Sequence, residues 1–242
     1  MCVEIFAKRL LTLRKFLISG FMINKELKEY IESEVLPRYD AFDKAHDRSH
    51  ADVVIAESLE LASGFPELDV NMVYAVAAYH DTGLVADRKM HHIVSGEIIM
   101  GDGNLRRWFT EDECRTMKEA VEDHRASADH EPRSMYGRIV AEADRMIDTE
   151  TVLRRTVQYG QKHYPEMDKE AHWLRFCEHL REKYAPGGYM KLWFAESKNA
   201  LRLRELQSVI ANEKELRSWF EKLYLPTEGT CSEDCGVGVG KS

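Results

Sequence analysis

From Met22 to Tyr224 the apolar residues recur at the spacing of a helix face, and no window shows the sustained alternation of a half-buried strand. That periodicity restricts the chain to an all-α fold. The expected helices are Asn24–Leu36, stopped by Pro37, then Asp47–Ala62, Val70–His80, His91–Met100, Glu111–His124 and Met135–Thr149. Val152–His163, Lys169–Tyr184 and a long Tyr189–Tyr224 follow, separated by Tyr164-Pro165 and Pro186-Gly187-Gly188. The expected organisation is an extension over residues 1–21, a helical core over 22–150, a C-terminal helical wing over 151–224 packed on that core, and a frayed tail over 225–242. Leu203, Leu206, Ile210, Leu216, Phe220 and Leu223 form the apolar stripe of the wing.

Composition narrows the function classes. The 242 residues carry 34 Lys+Arg against 42 Asp+Glu, a formal net charge of −8, which disfavours a mainly electrostatic binder of nucleic acid or membrane but admits a small anionic substrate. The first segment interleaves Lys8, Arg9, Arg14 and Lys15 with apolar pairs, so it is expected neither to span a bilayer nor to act as a signal peptide. Five cysteines without a repeated framework read as reduced thiols of a cytoplasmic protein, and Cys231 and Cys235 as part of the tail rather than a zinc clip.

Val70–Tyr79 is apolar almost all round, which marks a helix enclosed by others, and it ends in His80-Asp81. A carboxylate at the end of a buried helix needs a partner or a metal, because an uncompensated interior charge costs several kcal/mol. Seven of the ten histidines lie between residues 46 and 130. His50 aligns with Val54 and Leu61, His124 with Met117 and Val121, and Asp144 with Tyr136, Val140 and Ile147, so titratable groups point inward from several helices. One such histidine is ordinarily a satisfied core residue. A set of imidazoles and carboxylates in one helical core points to a divalent metal site.

The succession His50, His80-Asp81 and Asp144 within AEADRMID, together with AHDRSHADVV and YHDTG, resembles the HD-domain superfamily of metal-dependent phosphohydrolases over about Tyr39–Ile147. The resemblance implies an HD-type helical bundle with additional C-terminal helices. It also implies that His50, His80, Asp81 and Asp144 hold one divalent ion. In members with two ions, further histidines come from the helices between the dyad and the last Asp. Here His92 and His124 stand at those places, and Asp81 would bridge the ions. Helical phase allows either His91 or His92 inward, and the spacing to Gly96 favours His92; with a single ion, His92 and His124 would instead support its ligands or contact substrate. His46 is a further neighbour, whereas His130, His163, His172 and His179 read as bystanders.

The chemistry so implied is hydrolysis of a phosphoester or phosphoanhydride of a small phosphorylated substrate, a nucleotide among them, by metal-activated water, with one or two ions of Mn, Fe, Co, Mg or Zn. Asp81, Lys89 and Arg125 are the expected catalytic residues, the two cations serving the phosphate oxygens, with Arg48 and Arg145 behind them. The Glu of HD deoxynucleotidases is replaced by Leu84, and the GYP triplet of cyclic-dinucleotide enzymes is absent. Two other readings use the same residues: a mixed-valent di-iron oxygenase, and a non-catalytic metal- or nucleotide-binding regulatory module. No nucleic acid polymer or membrane partner is expected, and a homo-oligomer is compatible with the sequence.

Overall fold

The computed structural model describes residues 22–43, 46–86 and 88–224; the terminal segments, with the Cys231/Cys235 pair, lie outside the described residues. Ten α-helices and no strand are found among them. The all-α expectation holds. In chain order the helices are α1 Lys25–Tyr30, α2 Arg48–Ala62, α3 Val70–Tyr79, α4 His91–Gly101, α5 Glu111–Glu122, α6 Met135–Ala143, α7 Thr149–His163, α8 Lys169–Tyr184, α9 Lys198–Ala211 and α10 Glu213–Leu223.

Side chains just outside the helices set where most of them begin. Asn24, Asp47, Asp69, Ser134, Asp148 and Asp168 each accept a hydrogen bond from a backbone N–H of the first turn. Thr110 and Glu113 form a reciprocal capping box on α5. Eight of the ten residues of α3 are buried, and this helix packs against α2, α5 and α6. It is the axis of the first unit.

Three sequence expectations are corrected. The helix expected over Asn24–Leu36 is α-helical only to Tyr30 and then widens to a π turn over Ile31–Val35. It tightens to a 3-10 turn over Leu36–Ala41, because Pro37 has no N–H to continue the ladder. The helix expected over Met135–Thr149 ends at Ala143; Met146 takes φ 29°, and Asp148 caps a new helix by accepting from Thr151 N–H at 2.8 Å. The long helix expected over Tyr189–Tyr224 starts only at Lys198. Upstream, the buried Glu142 carboxylate takes the Trp193 N–H at 2.6 Å and the Ser197 hydroxyl. Asn212 then interrupts that helix by capping α10.

The chain divides into two compact units. The first holds the residues up to Ile147 together with Tyr189–Arg202, and the second Asp148–Gly188 with the residues from Leu203 onward. Within the second, Leu153, Val157, Phe176, Leu180, Leu216, Phe220 and Leu223 are buried, and the Trp173 and Phe220 rings meet edge-on at 5.4 Å. Every histidine and aspartate argued above for the metal site belongs to the first unit.

Candidate metal centre

All the histidines and carboxylates of the cluster come from helix ends. His50 lies in the first turn of α2, His80 and Asp81 follow α3, His91 opens α4, and His124 and Asp144 stand just past α5 and α6. They form two groups whose nearest nitrogen and oxygen atoms lie within 4.8 Å of one another: His50, His80 and Asp144, and Asp81, His91 and His124.

Asp81 joins the two. Its Oδ2 is 3.6 Å from His50 Nε2 and 3.5 Å from His80 Nε2, while its Oδ1 is 3.3 Å from His91 Nε2 and 3.4 Å from His124 Nε2. Asp144 Oδ1 completes the first group at 3.3 Å from His50 Nε2. One carboxylate thus presents one oxygen to each group.

Backbone contacts orient the imidazoles. The Nδ1 atoms of His80, His91 and His124 meet the carbonyls of Ala77, Arg88 and Val121, three residues earlier, at 2.8, 2.7 and 2.6 Å. An Nδ1–H committed to a carbonyl leaves the Nε2 lone pair free for a cation, the usual arrangement around a metal-binding histidine. His50 differs, since its Nδ1 lies 3.2 Å from the Met146 sulfur, whose residue sits in the left-handed backbone region that L-residues adopt at a cost. Asp81 is fixed from behind, as its N–H donates to the Tyr39 hydroxyl at 3.2 Å and that hydroxyl donates to Ala78 O at 2.9 Å. The donor set fits a divalent metal: imidazole nitrogens with ionised carboxylates, convergent and buried except for the half-buried His91 and Asp144.

The charge states agree. Burial opposes ionisation of Asp81, but the imidazoles of His80, His124 and His50 around it hold it well below the ordinary carboxylate range. Asp144 is likewise lowered against burial, chiefly by its bond to His50. Burial disfavours a charged His50, yet the bonds to Asp144 and Asp81 prevail and raise it to about 9. His91 is lowered by burial and by the nearby His124.

The structure turns His91, not His92, toward Asp81, which corrects the preference for His92. Helix α4 buries Ser95 and Ile99 one and two turns beyond His91, and the Ser95 hydroxyl accepts the Gly83 N–H at 2.9 Å. That face therefore looks onto the His80-Asp81 turn. Gly96, four residues after His92, belongs to a different contact, where an added Cβ would lie 2.9 Å from Lys118 Cγ. It marks the approach of α4 to α5 and not a donor. Gly83 is equally constrained, because a Cβ there would lie 2.0 Å from the His91 carbonyl oxygen.

The expected cations have varied placements. Arg125 is half-buried and donates to the Lys89 carbonyl at 2.9 Å, while Arg48 pairs with Asp52 on an exposed face at 3.0 Å. Arg145 is buried at 5% side-chain exposure, donates to the His124 carbonyl at 2.9 Å and lies 3.5 Å from Asp144 Oδ2. It therefore ties together the two segments that carry His124 and Asp144. His46 pairs with Asp43 at 2.9 Å, and its ring stands 5.8 Å from that of His50. Sequence reasoning missed the Asp123–Arg133 pair, in which a buried carboxylate takes Arg133 N–H at 2.7 Å and its guanidinium at 2.8 Å, pinning the loop after His124.

Residues 53–147 match the family model of the HD domain. This segment is an HD domain. The match contains Asp81, His91, His124 and Asp144 and begins three residues after His50. HD domains bind divalent metals, and this one has the His/Asp groups to hold them. No curated protein and no solved structure matches the chain. Among the described residues no helix is long and apolar enough to cross a membrane.

Proposed function

We propose that this protein is a metal-dependent phosphohydrolase acting on a small phosphorylated substrate. The observation that carries the reading is Asp81, which offers one oxygen to each of two His/Asp groups. His50, His80, Asp144 and Asp81 would hold one cation, and Asp81, His91 and His124 a second. When bound, divalent cations polarise phosphoryl oxygens and lower the pKa of water.

The remaining work falls to the chain. Ionised Asp81 and Asp144 counter the cation charge, while the carbonyls behind His80, His91 and His124 keep the rings from turning. Arg125, held by the Lys89 carbonyl, is assigned to the non-bridging phosphate oxygens, and Lys89 stands beside it. In the overall reaction the water oxygen bonds to phosphorus, the bond to the leaving oxygen breaks, and the alcohol or phosphate departs with a proton.

The test is phosphate or pyrophosphate release from a panel of nucleotides and phosphoesters by protein loaded in turn with Mn, Fe, Co, Mg or Zn. Release that Asp81→Ala abolishes is the expected result. Full activity of Asp81→Ala overturns the assignment. Oxygen uptake by iron-loaded protein without phosphate release would replace it with the oxygenase reading.

A further inference from the structure

Three of the four imidazoles at the metal centre are aimed by a backbone carbonyl, and the fourth by a thioether. His50 Nδ1 lies 3.2 Å from the Met146 sulfur, whereas His80, His91 and His124 each meet a carbonyl oxygen. A small oxidant leaves a carbonyl unchanged, but it converts a thioether into a polar sulfoxide. The support of His50 is therefore the chemically changeable one.

Met146 is open to such an oxidant. It is 40% exposed, although it lies two residues from Asp144 and touches the buried ring of His50. Its backbone has little freedom to adjust after a change in the side chain. The φ of 29° is one that an L-residue keeps only where its surroundings enforce it, and the turn is pinned on both sides. Arg145 N–H donates to the Glu142 carbonyl at 3.2 Å, and Ile147 N–H to the Asn199 side chain at 3.3 Å. Sulfur and nitrogen are already in contact, so an added oxygen does not fit between them. A hydrogen bond from Nδ1–H to a sulfoxide oxygen would itself span about 2.9 Å and would force the sulfur to retreat.

We propose that Met146 is an oxidation site at which a hydroperoxide weakens the hold of the His50, His80 and Asp144 group on its cation. The terminal peroxide oxygen bonds to sulfur as the O–O bond breaks. Sulfur gives up two electrons, the peroxide takes them, and hydrogen peroxide departs as water with both its protons. The enlarged polar side chain turns to solvent or displaces the imidazole. In either case His50 loses the contact that aims its Nε2 at Asp144 and Asp81. Loss of a group that orients a ligand lowers metal affinity by about 10–100-fold. The inference rests on the metal centre and is independent of the reaction performed there.

The experiment treats the full chain, stripped of metal, with hydrogen peroxide, desalts it, locates the oxidised residues by peptide mass spectrometry and titrates manganese by calorimetry. Oxidation of Met146 is expected to lower the affinity of one site by about tenfold or more, and methionine sulfoxide reductases to restore it. Met146→Leu, whatever affinity it starts from, should lose the response to peroxide. Met90→Leu, which removes another exposed methionine beside the centre, should keep it. A Met146 that stays unoxidised, an affinity unchanged or raised by its oxidation, or a response that survives in Met146→Leu or vanishes in Met90→Leu overturns the inference and leaves the metal centre standing. A protein that binds no manganese before treatment overturns the metal centre, and the inference with it.

Discussion

Replacing His91 and His92 one at a time separates two residues that differ by a single position and by everything in their surroundings. His91 Nε2 stands 3.3 Å from Asp81 Oδ1 and 3.2 Å from His124 Nε2, so His91→Ala removes one of the three protein donors of the second group. Loss of a residue that merely supports a ligand weakens metal binding by about 10–100-fold, so loss of a donor is expected to cost on the order of 100-fold or more, about 2.7 kcal/mol. His92 has no part in that group, and His92→Ala should retain it. Each protein is stripped with chelator, titrated with Mn or Co by calorimetry, and analysed for bound metal after dialysis. The wild type and His92→Ala should hold two ions and His91→Ala one, with the tighter site unchanged. If His92→Ala loses an ion while His91→Ala keeps both, the assignment of α4 fails.

Three further perturbations follow from the same geometry. Gly83→Ala places a methyl against the backbone that opens α4, so it should displace His91 and remove the second ion, and a variant with full metal content would contradict the packing. His50, raised to about 9, is protonated near neutral pH and must lose that proton to a metal; affinity should fall about tenfold per pH unit of acidification below 9, and calorimetry in buffers of different ionisation enthalpy should detect the released proton. The same shift is upward from 6.5, so its contribution to the stability of chelated protein is present below that value and is lost as pH rises through about 9. Glu142→Ala leaves the Trp193 N–H and Ser197 hydroxyl without their acceptor, at about 1–3 kcal/mol each, and should lower the melting temperature by several degrees. Glu142→Gln, which keeps an acceptor, should recover part of that loss, and equal melting of both variants would show that the hydrogen bonds are immaterial.

How much was legible in the sequence depends on where each residue sits in its helix. The helix starts after Asp47, Asp69, Thr110 and Asp168 were readable because a capping side chain is local and bonds within the first turn that follows it, whereas Asp148 and Asn212 cap helices inside stretches whose apolar period runs on. The end of α6 was not, because the apolar period continues to Ile147 while the turn is made by partners far along the chain. The Ile147 N–H bonds the side chain of Asn199, and Asn199 in turn donates to the Glu142 carbonyl. The residue types of the metal centre were legible for a similar reason, since buried carboxylates and imidazoles need partners wherever they occur.

The direction of His91 was harder, and the reason is geometric. As the first residue of α4 it has no preceding turn to fix its phase, and apolar residues surround the helix on two faces, one toward Gly83 and one toward α5. Gly96 reports the second face, where Lys118 and Glu122 approach, and so drew attention to His92. Ser95 reports the first, because its fully buried hydroxyl accepts from the N–H two residues beyond Asp81. A donor at a helix end is aimed by what caps the helix and not by its amphipathic stripe. His80, His91 and His124 share that logic through the carbonyl three residues before each, whereas His50, at the opening of α2, meets the Met146 sulfur instead. The turn at Met146 that ends α6 and places Asp144 therefore also sets the orientation of His50, and two of the three residues of the first group depend on one backbone conformation.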